Sequence, residues 1–548
     1  MCRYRIACLI VLMTTPIVST ADTYPVNPDI DIVHYRFELD ISNPSGQIAA
    51  RAGIRAKFLD AGIKQLRLDL VNRTDERDGR GMSVSAVSNE GVALDFRHED
   101  DVLWIELPRP SAVDEVFEVS IDYGGFPVTG LLIKENKYGE VTAFSDNWPN
   151  KARNWLPVVD HISDKATSEM VITAPERWQV VSNGLLVEQS GLGSGLRRTH
   201  WRQSVPIAPW LYVLAAADFA VQHVGEFDHK PIQTWVYRQD RDAGFHDFAV
   251  PTKQVLTFMS NYVGPFVYEK LANIQGNSVG GGMEAASAIL YSDKSVTGQR
   301  TARWQTVIVH EIAHQWFGNS VTEASWDDVW LSEGFATYFT SLFVEYADGH
   351  DAFIDSMTNA RDQVFKFYDE HPDYRIIHED LDDMTQVTTR QIYNKGAWTL
   401  HMLRNLIGDE QWWAGIQNYY RKYMNSHAST ADFRAEMELA CGCDLTQFFE
   451  QWLYQGGNIV LDGSWRYDEG TGSVDVTLRQ VQDDGFEFSA DVEIGLYERA
   501  GSLPTIHHLA LGPKGGRLTI PVSARPAGVV IDPNTVLLAR WTFAEVSQ

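Results

Sequence analysis

The pentapeptide His310-Glu311-Ile312-Ala313-His314 constrains this chain more than any other stretch. On a helix, residues four apart share a face, so both imidazoles can meet one metal ion, with Glu311 beside them in reach of a water. Glu333 follows after eighteen intervening residues, within Trp330-Leu331-Ser332-Glu333-Gly334-Phe335-Ala336, where a second amphipathic helix begins. Two histidines and one carboxylate leave one tetrahedral position open, the pattern of a catalytic rather than a structural zinc site. Only one complete ligand set is visible, so one Zn2+ per chain is expected.

The 548 residues that surround this motif suffice for about three domains. Apolar residues make up 44% and charged residues 22%, which excludes a disordered, collagen-like or coiled-coil chain. No long apolar run follows the N-terminus, so stable membrane insertion is not expected. The 73 acidic and 46 basic residues give a net charge of −27, which repels phosphate backbones and argues against nucleic-acid binding. That charge serves solubility, or an acidic cleft that favours cationic substrates. A monomer or weak oligomer is expected.

Arg3 and Arg5, the apolar run Ile6 to Val18 and the small residues Ser19-Thr20-Ala21 form an export signal, cleaved near Ala21. The expected location is periplasmic or secreted. Cys2 and Cys8 leave with that segment. Cys441 and Cys443 stand one residue apart and read as two inert thiols, with a strained bridge as the lesser option.

Periodicity divides the remainder. Residues 22–225 alternate as strands, for example Tyr35 to Ile41 and part of Val116 to Ile121, with turns at Asn43-Pro44-Ser45-Gly46 and Tyr123-Gly124-Gly125. This is a large antiparallel β domain. Residues 226–457 turn to helical spacing, at 303–318, 328–347, 396–406 and 432–453. Residues 458–548 return to alternation, as in Val474 to Leu478 and Asp491 to Leu496, and read as a small β-sandwich. The class is multidomain α+β.

The stretch HEIAHQWFGN through WLSEGFATY resembles the gluzincin aminopeptidases of the aminopeptidase N and leukotriene hydrolase type. Gly281-Gly282-Met283-Glu284-Ala285 is similar to that family's GxMEN exopeptidase motif, and Tyr393-Asn394-Lys395-Gly396 to its YEKG. Phe448 to Leu453 and Ala152 to Pro157 match further family segments. The resemblance implies an N-terminal β domain, a thermolysin-like, mainly helical catalytic domain and a C-terminal β-sandwich; the long helical domain that ends many members is not expected here, since no residues remain to build it.

It also implies roles. His310, His314 and Glu333 would hold zinc, and Glu311 would act as general base. Tyr393 would donate its hydroxyl to the developing oxyanion. Glu284 would hold the free α-ammonium of a peptide, with Gly281, Gly282 and Met283 lying along the substrate. The reaction is then removal of the N-terminal residue from peptides with a free amino terminus. Rival readings are a zinc hydrolase of altered specificity (an endopeptidase or epoxide hydrolase) and a non-catalytic zinc-containing binding protein.

Two positions depart from the family pattern. Ala285 replaces the motif's asparagine. Trp148 stands four residues before the Ala152-Arg153 pair, where a second amine anchor, Gln or Glu, is usual. Trp148 either offers an indole face to the ammonium or the first side chain, implying large or apolar first residues and a rather high KM, or packs between domains. Trp304, Trp316, Trp326 and Trp330 read as core packing, and Asp164-Lys165 as a structural turn.

Overall fold

The structure is a computed structural model that describes residues 27–43, 45–378, 381, 384–386 and 389–546. The expected export signal at 1–21 lies outside the described residues, as do Cys2 and Cys8.

The N-terminal region is built on an eight-stranded sheet. Its centre is Ile30–Asp40, whose inward residues Ile32, Tyr35, Phe37 and Leu39 are fully or nearly fully buried. That strand pairs antiparallel with Ile48–Phe58 but parallel with Ala166–Pro175, one parallel pair in an otherwise antiparallel sheet. Its partner on that side arrives only after the chain has built a three-stranded sheet and two strands of a four-stranded one. The turn expected at Tyr123-Gly124-Gly125 is instead strand, the end of Val116–Phe126. These residues face Ala50, Ala49 and Ile48 on one side and Val84, Ser83 and Met82 on the other. Two ladders of backbone hydrogen bonds override the local turn signal.

The middle region begins with a five-stranded sheet, ordered Phe219–Phe227, Lys230–Tyr237, Leu271–Gly276, Ala288–Ser292 and the edge strand Gly282–Met283. The boundary drawn at 225 falls inside its first strand. Against this sheet pack α1 (Arg241–Tyr262) and α2 (Ala302–Ala313), followed by α3 (Trp330–Asp348), α4 (His350–Tyr368), α5 (Arg390–Ile407), α6 (Asp409–Tyr423) and α7 (Thr430–Cys441). Helix α2 ends at Ala313, sooner than the periodicity to 318 suggested, with His314 as its C-terminal flanking residue. No described helix is long and apolar enough to cross a membrane.

Two helices owe their closeness to two glycines. A Cβ on Gly396 of α5 would lie 2.9 Å from the Gly334 Cα of α3. The absence of side chains there lets the helices nearly touch, and that crossing sets Tyr393 beside Glu333. The start of α3 is tied to α7: Thr430 Oγ1 donates to Asp328 at 2.6 Å, and the Trp330 indole donates to Thr430 Oγ1 at 2.8 Å.

Beyond α7 lie two sheets of four and three strands between Ile459 and Glu545, with apolar residues such as Val476, Ile494 and Leu509 buried. His401 of α5 reaches this region, within 2.9 Å of the Thr535 carbonyl oxygen. Cys441 and Cys443 are joined as a disulfide, which corrects the expectation of two thiols. Helix α7 stops at Cys441 and Gly442 takes a left-handed conformation (φ 64°). The reversal brings the two Cα atoms to 5.2 Å, inside the range a bridge spans. The Asp164-Lys165 pair is more than a turn: the Lys165 ammonium, which burial pushes down to about 7, donates to the Asn319 and Ser320 carbonyls at 2.9 and 2.8 Å. It thereby fastens the N-terminal region to the loop that leaves α2.

Candidate active site

Helix α2 presents His310 and Glu311 towards a cavity of about 600 Å³, and α3 presents Glu333 from the facing wall. The Nε2 atoms of His310 and His314 lie 3.0 Å apart, and each is 3.2 Å from Glu333 Oε2. The second nitrogen of His314 is fixed: Nδ1 donates to the Phe317 carbonyl at 3.1 Å, which leaves the Nε2 lone pair aimed inward. Three donor atoms converging at this spacing fit one divalent metal ion of the kind that takes nitrogen and oxygen ligands.

The electrostatics make the same demand. Burial lowers His314's affinity for protons, but Glu284 and Glu333 outweigh it and push its pKa up to about 10. Burial opposes ionisation of Glu333, yet His314 and His310 hold it well below the ordinary carboxylate range. The pocket thus calls for positive charge at the point where the three donors meet, and a divalent cation supplies it.

Glu311 is nearly buried, and its carboxylate lies against the edge strand. A Cβ on Gly282 would meet Glu311 Oε1 at 2.2 Å, so only glycine leaves the carboxylate its place. Burial, then Glu284 and Glu333, push the Glu311 pKa well above the usual carboxylate value. A cation bound beside it would oppose that rise and favour the ionised carboxylate that accepting a proton from water requires.

Glu284 follows the edge strand, where Gly282 pairs with Tyr291 and Met283 with Leu290. Its carboxylate, Glu311 and His314 offer donor atoms within 4.8 Å of one another. The amides of Gln315 and Asn319 donate to the Glu284 backbone carbonyl at 2.9 and 2.6 Å, which pins this residue to the C-terminal end of α2. Burial pushes its pKa up to about 7; His314 opposes, while Glu333 and Asp146 add to the rise.

Tyr393, one helical turn into α5, donates to Glu333 Oε1 at 2.8 Å, and its ring lies 5.9 Å from that of His310. Burial and the charge of Glu333 keep its hydroxyl protonated.

The structure therefore brings together Gly281, Gly282, Glu284, His310, Glu311, His314, Glu333 and Tyr393 around one cavity. Met283 is in the sheet and 5% exposed. Trp148 is not on the cavity wall. Its ring meets Trp326 edge-on at 5.9 Å, and Trp326 in turn contacts Trp210, so Trp148 sits in an aromatic seam between the two regions. Of the four tryptophans expected in the core, Trp316, Trp326 and Trp330 are fully buried and Trp304 is 7% exposed.

Sequence reasoning missed several wall residues. Thr306, Thr337 and Arg390 lie one helical turn from His310, Glu333 and Tyr393, so helical spacing alone could have found them. Asn359 and Gln363 come from α4, which carries no motif, and only packing reveals them. Asp146, ion-paired with Lys151 at 2.8 Å, belongs to no motif, although its charge acts on Glu284.

Comparison with known proteins agrees along most of the described chain. The Peptidase M1 N-terminal domain matches residues 32–211, and the Peptidase family M1 domain matches 249–452. Glutamyl aminopeptidase of Bos taurus is 31% identical over 336 residues, covering 58% of this chain and 35% of that protein. A probable aminopeptidase 2 of Sulfurisphaera tokodaii is 26% identical over 400 residues, covering 70% and 50%. The chain thus spans about a third of the length of the bovine relative and half that of the archaeal one. Among solved structures, an M1 zinc metallopeptidase of Deinococcus radiodurans superposes with a TM-score of 0.67 at 23% identity, covering 77% of this chain and 93% of that one. A two-domain M1 zinc metallopeptidase variant bound to L-tryptophan gives 0.66 at 23%, covering 78% and 94%.

Proposed function

The chain belongs to the M1 peptidase family, and from that premise we propose that it is a zinc-dependent aminopeptidase that removes the first residue from peptides with a free amino terminus. The observation that carries this reading is Glu284. A buried carboxylate on the cavity wall, with its donor atom within 4.8 Å of those of Glu311 and His314, offers a partner for an α-ammonium about one residue from the metal position.

Zinc held by His310, His314 and Glu333 would supply a Lewis acid that polarises the scissile carbonyl and acidifies the attacking water. Glu311 takes a proton from that water at its carboxylate and returns one to the leaving nitrogen as the C–N bond breaks. Tyr393 donates its hydroxyl to the oxygen that becomes negative. Glu284 holds the ammonium, and the edge strand at Gly281 and Gly282 offers backbone to an extended substrate. The products are one amino acid and a peptide shorter by one residue.

The basic and then apolar start of the chain supports export to the periplasm or beyond. The first-residue preference forms a separate reading, large or apolar if Trp148 influences the site. Glutamyl substrates belong in the same panel because relatives bear that name.

The test compares aminoacyl arylamides with free and N-acetylated amino termini, with and without a chelator. Hydrolysis of the free compounds alone, lost on chelation and restored by zinc, is expected. Equal cleavage of acetylated compounds would show an endopeptidase, and full activity in metal-free protein would refute the metal assignment.

A further inference from the structure

We propose that Arg390 makes the far end of the active-site cleft a carboxylate subsite, selecting peptides that carry a carboxylate one or two residues beyond the scissile bond. This rests on the aminopeptidase reading above and extends it to the leaving side of the substrate.

The direction of the cleft follows from α2. Glu284 is pinned by Gln315 and Asn319 beyond the C-terminal end of that helix. The metal ligands His310 and His314 come next, and Thr306 lies a full turn further towards the helix N-terminus. A peptide whose ammonium rests on Glu284 and whose first carbonyl lies between the metal position and Tyr393 must continue towards Thr306. Beyond the residues with assigned roles, the wall is made by Thr306, Val307, Thr337, Asn359, Gln363, Asn394 and Arg390. All but Arg390 are uncharged.

Arg390 is the one lysine or arginine on the described cavity wall, in a site otherwise dominated by carboxylates. It is exposed, and its recorded hydrogen bond runs from Nη1 to Gln363 Oε1 at 3.1 Å. No carboxylate among the described residues lies within ion-pair distance of it. Its place in the first turn of α5 sets a cation at the positive end of the helix dipole, where an acidic residue would be more stable. Local rules broken without compensation among the described residues tend to mark functional positions.

Reach is adequate. Arg390 and Tyr393 are one turn apart on the same helix, with Cβ atoms about 5–6 Å apart. Each extended peptide residue advances about 3.3 Å, so a carboxylate one or two residues past the scissile carbonyl arrives beside the guanidinium. That planar fork binds a carboxylate with two parallel hydrogen bonds. The carboxylate can be the C-terminus of a di- or tripeptide or an acidic side chain on the leaving fragment.

The experiment uses zinc-loaded full-length protein. Leu-Gly-Gly is compared with Leu-Gly-Gly-amide, and Leu-Asp-Gly-amide with Leu-Asn-Gly-amide, in wild type, Arg390→Gln and Arg390→Lys. Because the pair is partly solvated, wild type should favour the carboxylate member by about three- to ten-fold in kcat/KM, chiefly through KM. Arg390→Gln should bring the ratio near one, and Arg390→Lys should keep part of it. The first pair isolates the terminal carboxylate and the second the side chain.

The same two comparisons are repeated as dissociation constants by calorimetry in Glu311→Gln, with and without Arg390→Gln, so the outcome does not depend on turnover. An acid-to-amide ratio untouched by Arg390→Gln in both assays overturns the proposal. So does a loss confined to glutamyl over leucyl arylamide, which would place Arg390 at the first side chain. If wild type fails to cleave leucyl arylamide, the aminopeptidase reading falls alone, and the calorimetric ratios still decide the subsite.

Discussion

Replacing Gly282 by alanine tests the idea that backbone closeness, and not only side-chain identity, makes this site work. The new methyl would lie 2.2 Å from both Oε1 and Cδ of Glu311 and 2.4 Å from its Cγ. Ordinary contacts lie at about 3.5–4.0 Å, so the carboxylate must retreat by more than about 1 Å. The obstacle is the end of a flexible side chain, so the fold can yield at little cost and zinc content should persist. Catalysis should not yield so easily, since a misplacement of about 1 Å can cost about 100-fold in rate. We expect kcat on leucyl arylamide to fall about 100-fold, with metal content near wild type and a melting temperature within a few degrees. Gly281→Ala, whose Cβ would meet nothing within 4 Å, should lose far less. A Gly282→Ala enzyme within about three-fold of wild-type kcat would refute the positioning argument.

Glu311→Gln should retain metal by elemental analysis but lose about 10²–10⁴ in turnover, because an amide cannot take the proton. Tyr393→Phe should lose about 2.7–4 kcal/mol of transition-state stabilisation, seen in kcat more than in KM; an unchanged kcat would remove it from the mechanism. Gly396→Ala forces a methyl to 2.9 Å from the Gly334 backbone, which cannot rotate away. It should cost about 1–3 kcal/mol in urea unfolding and lower kcat by moving Tyr393 off Glu333. His401 is buried and its pKa is lowered to about 4, although its bond to the Thr535 carbonyl opposes the fall. The unfolded chain therefore binds more protons between pH 6.5 and 4, so this contribution is whole above pH 6.5 and falls with acidification. It should fade by about 2 kcal/mol at pH 5, and His401→Gln should flatten the difference between urea midpoints at pH 7 and pH 5.

The candidate metal group was legible in the sequence because its logic is local. His310 and His314 share a face by helical spacing alone, and Glu333 opens the next amphipathic helix. Glu284 and Tyr393 were legible only through resemblance, since a glutamate after glycines and a tyrosine on a helix carry no chemistry by themselves. The crossing at Gly334 and Gly396 turns those scattered letters into one site, and no periodicity announces it. The parallel pairing of Ile30–Asp40 with Ala166–Pro175 and the straight run through Gly124 and Gly125 were likewise decided by neighbouring strands. So was the fate of Trp148, drawn into a seam with Trp326 rather than into the cleft. The sequence by itself determined which residues share a face of each helix or strand, because backbone geometry repeats every few residues. Which faces meet was left to the tertiary structure: burying apolar area is non-directional, and only close packing selects one arrangement. Asn359 and Gln363 became neighbours of the candidate metal position by that selection alone.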